Sequence, residues 1–574
     1  MNTTQLLAHF DRLAAAPDAV PRLRRFILDL AVRGKLVEQD AGDEPAAELL
    51  KRIRAEKKQL IRAGFAKNVD DLPAVSFQEQ PFSLPASWSW VRLVNVLTKL
   101  TDGTHFSPSN APSGDFKYIT AKNIKPQGVY LDNVTYVTAQ AHAEIFARCD
   151  PRKGDILYIK DGATTGVVTV NDLDEQFSML SSVALLKVPN GLFNRLLVEF
   201  LRSPFFFEQM RGFMKGAAIP HVTLKRMGPA LLPFPPLAEQ HRIVAKVDEL
   251  MALCDQLEAA QQEREHRRDR LAAASLQRLN HPATDTTPVA QCEHARFHLH
   301  HLPRLTTRPE HIKAMRQTIL NLAVRGLLVP QDGSDEPAKA LLKSIREEKT
   351  QLVRMGVIPK EKTADGKALL TFALPALWQA ARLGDVCNLV TSGSRGWAEF
   401  YAESGPKFLR AQNIRFGRMR LDDLACVNPP AKSEGARTQV QQGDLLIVIT
   451  GAGVTNPALL DRDLGEAYVS QHVALVRPSN TALSRWLLLC LMAGPSGRDE
   501  LVERAYGAGK PGLNLDNIRS LSTPIPPLAE QHRIVTKVDE LMALCDQLEA
   551  QLTTTQTDSR RLLEAVLEDA LAPL

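Results

Sequence analysis

The stretch at 235–259 returns at 526–550 with a single change, Ala245 becoming Thr536. A chain that writes one helix twice has to fold around a repeat, so the repeat is the first thing to resolve. The prolines that open it suit a helix start, where a missing N–H costs nothing, and Glu239 sits in the first turn at the positive end of the helix dipole. Ile243, Val247, Leu250, Cys254 and Leu257 step by four, three, four and three, which is the a/d seam of a coiled coil. Ile534, Val538, Leu541, Cys545 and Leu548 repeat that seam, and Leu552 extends it. Two identical seams in one chain invite mutual packing, and the expectation is an antiparallel coiled coil. Residues 245 and 536 fall outside the seam.

Other segments recur at nearly the same spacing. Leu30-Ala31-Val32-Arg33-Gly34 returns as Leu322-Ala323-Val324-Arg325-Gly326, and Asp43-Glu44-Pro45-Ala46 as Asp335-Glu336-Pro337-Ala338. The latter opens a helix, with acids ahead of a proline. Pro45 to Pro337 and Pro235 to Pro526 span almost the same distance, so the chain is a tandem duplication. Between the repeated ends lie two more divergent globular stretches that begin with Leu84-Pro85 and Leu374-Pro375 and read as short β runs separated by Gly, Pro and Asn turns. Phe116 to Ile124 matches Pro406 to Ile414, and Gly154-Asp155-Ile156-Leu157 matches Gly443-Asp444-Leu445-Leu446. The expected fold is α+β: two tandem mixed α/β modules, separated and joined by long helices, with an internal pseudo-two-fold duplication. The boundaries are an N-terminal helical region 1–81, a first module 82–233, a central helical region with a linker 234–371, a second module 372–524 and a C-terminal helix 525–574. The Pro, Thr and Asp content of 282–303 favours the linker there.

At 574 residues the chain suggests two to four domains. No apolar run reaches the ~20 residues of a membrane span, and Asp11 stands where a signal peptide needs an apolar stretch, so a cytoplasmic protein is expected. Seven scattered cysteines without a C-x-x-C pair argue against a disulfide framework and a zinc ribbon. Cys254 and Cys545 read as small core residues. A net charge of +5 neither demands nor excludes nucleic acid, so any positive charge that binds DNA has to be patched. A helix over 237–279 would be roughly 65 Å long, about two turns of B-DNA at ~34 Å each. It would set two modules at a fixed separation.

Leu237-Ala238-Glu239-Gln240 ahead of a coiled-coil helix, the Leu-Ala-Val-Arg-Gly element, and two divergent modules each holding Ala-x-Asn-Ile and Gly-Asp-x-Leu resemble the specificity subunit of a type I restriction-modification system. The likeness covers nearly the whole chain and is greatest to the branch with an extra helical region before the first module. The resemblance implies a subunit that makes and breaks no bond itself. Each of its two target-recognition domains would read half of an asymmetric, interrupted double-stranded DNA site, with the helices as ruler. It would dock two modification subunits, which carry S-adenosylmethionine and methylate adenine. Restriction subunits that use ATP and magnesium would then join.

Arg or Lys reads guanine and Asn or Gln reads adenine, whereas phosphates take Lys, Arg, Ser, Thr and backbone amides. The DNA-binding candidates are therefore Lys122, Asn123, Lys160, Thr164, Lys215, His221 and Lys225 in the first module. In the second they are Ser392, Ser394, Arg395, Trp397, Arg410, Gln412, Asn413 and Lys510. Thr391 to Trp397 is the most suggestive run, since glycine lets backbone approach phosphate and neither Arg395 nor Trp397 has an obvious core role. Asn123 and Asn413 occupy matching positions in modules expected to read different sequences, which favours a turn hydrogen bond over base readout. Glu239, His241 and Arg242, with Glu530, His532 and Arg533, are the candidate contacts for the modification subunits; helix-start electrostatics is the alternative.

Catalytic motifs are only mimicked. Asn428-Pro429-Pro430 lacks the aromatic that would stack a flipped base, Ala431 standing there. Gly507 to Pro511 lacks the first glycine of a phosphate loop, with Arg504 in its place, and has Pro511 instead of Ser or Thr. Cys292, His294, His298, His300 and His301 have no second cysteine nearby to build a zinc site. No catalytic residue, metal or cofactor is therefore expected in this chain. A fused methyltransferase or nuclease is disfavoured for the same reason. A coiled-coil scaffold whose modules bind proteins is the alternative, and it predicts no salt-dependent DNA affinity.

Overall fold

The computed structural model describes residues 16, 18–63, 72–189, 192–213, 221–281, 288–301, 306–360, 368–393, 395–429, 435–506 and 511–571. The chain forms two compact units, Met1–Glu263 with Gln556–Leu574, and Arg264–Thr555. The duplication therefore extends to the fold, and each unit repeats one plan.

In the first unit a four-stranded antiparallel sheet runs in the order Lys99–Asp102, Val183–Lys187, Ile156–Ile159, Val168–Val170. Its two central strands are buried on both faces, and the period of two divides their side chains between two cores. Ile156, Tyr158, Ala184 and Leu186 join a core with Leu196, Leu197, Phe200 and Leu201 of the helix Asn194–Arg202. Leu157, Ile159, Val183 and Leu185 join a second core with Ile119, Phe177 and Met179 of a three-stranded sheet. That sheet orders Thr135–Val137, Phe116–Ile119, Phe177–Met179. The pair Ser89–Arg92 and Leu231–Phe234 closes the module at its base.

The second unit reproduces this arrangement. Its four-stranded sheet orders Cys387–Ser392, Val473–Pro478, Leu445–Val448, Pro457–Leu459. Leu445, Ile447, Ala474 and Val476 face Trp486, Leu487 and Cys490, while Leu446, Val448, Val473 and Leu475 face Leu409, Ala467 and Val469. The expected α+β fold with an internal duplication is what the chain adopts.

The long helices are Leu237–Asn280 and Leu528–Leu571. Within its own unit each seam is covered by a leading helix, a partner that the a/d spacing does not name. Ile243, Val247 and Cys254, flanked by Leu250 and Leu257, are buried in the first unit against Val20, Ile27 and Leu28 of the leading helix Ala19–Val32. Ile534, Val538, Leu541, Cys545 and Leu548 are buried in the second against Ile312, Met315, Ile319 and Leu320 of Pro309–Val324. Fully burying each such aliphatic contributes roughly 1.5–3 kcal/mol. Matching ion pairs flank the two seams: Arg24 reaches Asp255 at 2.6 Å and Glu258 at 2.7 Å, and Arg316 reaches Asp546 at 2.7 Å and Glu549 at 2.9 Å. Ala245 and Thr536, which lie off the seam, are exposed.

Each leading helix also meets the far end of a long helix. In the first unit Ala16 and Ala19 pack on Leu563 and Val566, with Lys35 Nζ 3.4 Å from the Leu571 carbonyl. In the second, Asn280 Nδ2 donates to Thr318 Oγ1 at 2.8 Å, and Arg325 Nη1 donates to the carbonyls of Leu279 and Asn280 at 3.1 and 3.0 Å. The stretch read as a linker contains a helix, Pro288–His300, whose Ala295 packs with Leu279 and Leu322. The side chains of Cys292 and His298 lie outside the described residues.

The Leu-Ala-Glu-Gln motif fastens module to helix. Glu239 is fully buried, accepting from Trp88 Nε1 at 2.9 Å and from Gln39 Nε2 at 2.6 Å. Glu530 does the same with Trp378 at 2.9 Å and Gln331 at 2.6 Å. Burial pushes both carboxyls above their usual range, and these hydrogen bonds oppose the shift. Arg242 pairs with Asp43, and Arg533 with Asp335, each at 2.6 Å. Glu239, Arg242, Glu530 and Arg533 therefore serve the fold of their own units, and their reading as free docking contacts is corrected. His241 and His532 remain exposed, His241 stacking on Phe193.

Candidate nucleic-acid interface

Loops from four strands meet at one end of each module. In the first, the Leu180 N–H donates to the Ile119 carbonyl at 3.1 Å, Ser181 to Thr104 at 2.8 Å, Lys160 to Ser182 at 2.9 Å and Val222 to Lys160 at 3.0 Å. These bonds draw the segments around residues 104, 120, 160, 181 and 221 into a single rim. In the second, Ser470 donates to Leu409 at 2.9 Å, Ile449 to His472 at 2.9 Å and Leu513 to Ile449 at 2.9 Å, while Gly393 donates to Val473 at 3.3 Å. The rim there gathers the segments around 393, 410, 450, 471 and 512.

Glycine permits the tightest crossing in each rim. A Cβ on Gly103 would lie 2.0 Å from the Met179 carbonyl oxygen, and one on Gly393 would lie 2.0 Å from that of Val469. The matching glycines thus admit protein backbone, which replaces the expectation that Gly393 makes room for phosphate.

Several sequence candidates come together on these rims. Lys122 and Thr164 are exposed; His221 is exposed and bonded through Nδ1 to Asp161, and Lys225 is exposed in the short helix Leu224–Met227 just beyond. In the second module Arg395 and Gln412 are exposed, Ser392 and Arg410 are half-buried, and Arg410 and Gln412 both lean on Asp423, at 3.8 and 3.3 Å. Lys215, Ser394 and Lys510 lie outside the described residues, as does most of each glycine-rich loop.

Three types of candidate are corrected. Lys160 is 3% exposed, with its ammonium 2.7 Å from Asp161 and 3.6 Å from Asp102, so it neutralises the half-buried Asp161 and the buried Asp102 and does not face solvent. Trp397 is 4% exposed and packs in a cluster with Phe408 and Tyr468, at ring separations of 5.8 and 5.1 Å. Asn123 and Asn413 are buried turn braces. Asn123 Oδ1 accepts from the Thr120 N–H at 3.1 Å while its amide donates to Tyr130; Asn413 accepts from the Arg410 N–H at 3.0 Å and donates to Arg420 and Asp423. This is the turn reading that their matched positions favoured.

Sequence reasoning missed other rim residues. His105 and Arg148 reach Asp102 at 3.1 and 2.6 Å. His472 engages Thr450 at 2.6 Å and Gln471 at 3.3 Å. The rims therefore differ chemically. The first is built on two carboxylates with Lys, Arg and His around them, and the second on hydroxyl, amide and imidazole groups with Arg395, Arg410 and Asp423 nearby. All of these are hydrogen-bonding groups of the kind that meets base edges and phosphates.

The profile of the type I restriction modification DNA specificity domain matches residues 85–265 and 375–555, each match running through one module into the long helix after it. The specificity subunit of the type I restriction enzyme EcoAI of Escherichia coli is 30% identical over 591 residues, covering 96% of this chain and 94% of that subunit. The chain belongs to the type I restriction-modification specificity subunit family. The EcoEI specificity subunit of Escherichia coli is likewise 30% identical, over 96% of this chain and 94% of its own. The HsdS subunit from Thermoanaerobacter tengcongensis has 21% sequence identity and a TM-score of 0.44, covering 86% of this chain and 99% of that one. As a type I specificity subunit, the chain is the non-catalytic, DNA-recognition component of a restriction-modification complex, with two specificity domains. No helix among the described residues is long and apolar enough to cross a membrane.

Proposed function

We propose that each rim reads one half of an asymmetric, interrupted double-stranded DNA site. The long helices then dock two modification subunits, which restriction subunits join. The observation that carries this reading is one backbone frame bearing two different sets of side chains. Asp102, Lys160, Asp161 and His221 stand in the first rim where the second has Ser392, Ile449, Thr450 and Gly512. On this reading Lys122, Thr164, His221, Lys225, Ser392, Arg395, Arg410 and Gln412 contact DNA, and S-adenosylmethionine, ATP and magnesium belong to the partner subunits. Docking of like partners is supported by the exposed positions of the two helices: Glu249, Ala252 and Gln256 are repeated unchanged as Glu540, Ala543 and Gln547, where the fold imposes no identity. Exchanging the second module for that of a relative, and mapping the adenines methylated by the assembled complex, tests the proposal. One half of the methylated site should change; a change in both halves or in neither refutes it.

A further inference from the structure

The second unit holds a cleft of about 790 Å³ whose lining includes Arg415, Arg418, Arg420, Arg462 and Arg485, with Asp422 and Asp461. It flanks the edge strand Pro457–Leu459 of the four-stranded sheet, where the Gly417 N–H donates to the Pro457 carbonyl at 2.9 Å, and its Asp422 is next in sequence to Asp423 of the rim. Leu459 in its wall pairs with Leu445, the first residue of the strand Leu445–Val448, whereas the rim begins after that strand's last residue. Three of the arginines have partners: Arg420 with Asp422 at 3.0 Å, Arg462 with Asp461 at 3.2 Å and Arg485 with Asp539 at 2.6 Å. Arg415 and Arg418 are exposed and form no hydrogen bond or ion pair with a described residue, although Asp422 feels Arg415 through space.

The placement of these two residues is unusual. Arg415 and Arg418 are register partners across the hairpin Ile414–Arg415/Arg418–Met419, and like charges directly opposite one another destabilise a strand pair. The fold does not demand this arrangement, because the same hairpin in the first unit sets Lys125 opposite Gly128. A counter-anion from outside the chain accounts for it. A guanidinium fork takes two oxygens at once, so two adjacent forks need a ligand with more acceptors than one carboxylate offers, which a phosphate supplies.

We infer that this cleft binds a phosphate group through Arg415 and Arg418. The phosphate comes either from a DNA backbone or from a free phosphate compound. The site is independent of which bases the rims read. R415A/R418A in the full chain is the test, with K343A/R346A, on the exposed face of the helix Ala338–Arg354, as a control of equal charge loss. R418G, which copies the first unit's residue at that position, is the gentler variant. Affinity for a fluorescein-labelled duplex of arbitrary sequence is measured against salt, and pyrophosphate binding by calorimetry.

If DNA is the source, the slope of log K against log salt shallows by about 0.9, the value for one neutralised phosphate, in R415A/R418A and not in the control. If a free phosphate compound is the source, the slope is unchanged and pyrophosphate binding is abolished. Equal slopes for the two double variants, with no pyrophosphate binding in the parent chain, overturn the inference. Discrimination between DNA sequences should survive every cleft variant, whereas R395A at the rim should weaken it, so the two readings fail separately.

Discussion

Trp88 Nε1 donates to Glu239 Oε2 at 2.9 Å, and the bond is reproduced at the same length by Trp378 and Glu530 in the second unit. Each indole anchors the start of a recognition module to the first turn of a long helix. Trp88→Phe and Trp378→Phe should each cost about 1–3 kcal/mol in urea unfolding, the range for leaving a buried acceptor without one of its donors. A large loss for one and none for the other would show that the two anchors are not equivalent.

Asp29 and Asn321 occupy matching positions, and the difference between them has consequences for pH. Burial pushes the Asp29 carboxyl up to about 6, against the pull of Arg33 and a hydrogen bond from the Phe205 N–H. With an unfolded value near ~3.9, the folded state binds more protons between those limits. The contribution of Asp29 is therefore fully present below about pH 4 and is lost as pH rises through about 6. Asp29→Asn should stabilise the first unit at pH 7 by on the order of 1 kcal/mol after allowance for solvent screening, with the gain vanishing below about pH 4. Thermal melts of the two proteins across that range decide the point.

Lys160 separates a structural cation from a DNA contact. Lys160→Met leaves Asp102 and Asp161 without their shared ammonium and should destabilise by on the order of 3 kcal/mol. At temperatures where the variant stays folded, the salt slope of DNA binding should not move. Lys122→Ala should do the reverse, leaving the melting temperature in place and shallowing the slope by about 0.9 for each phosphate that Lys122 neutralises.

Gly103 and Gly393 leave no room for a methyl group, because the atoms in the way are backbone. Gly103→Ala and Gly393→Ala should each cost about 1–3 kcal/mol or more from overpacking. If either melted like the parent, the strand crossing at the rim would have to be looser than described.

The sequence was most informative where its signals were periodic. The a/d stepping of Ile243 to Leu257 correctly marks a buried face, but spacing says nothing of what covers it, and the cover is Ile27 and Leu28, far away in the chain. The β runs were legible because Ile156–Ile159 and Val183–Lys187 are apolar almost throughout, as strands buried on both faces must be. Individual rim residues were read less well. Whether Lys160 or Trp397 reaches solvent depends on Asp102, Phe408 and Tyr468, which only the folded sheet brings near. The pairing of Thr450 with His472 was invisible for the same reason: it joins the end of one strand to the start of another.

The packing of Ala16 and Ala19 on Leu563 and Val566 also bears on how the chain is made. Residues 556–571 are translated after the second unit, yet they belong to the first. On the ribosome the first module can gather its strands early, but the apolar start of the helix Ala19–Val32 stays uncovered while the whole second unit is synthesised. Closure of the first unit is thus a contact of very long sequence separation, of the kind that forms late and slowly. A chain released before residue 556 would keep two recognition modules and leave that surface open.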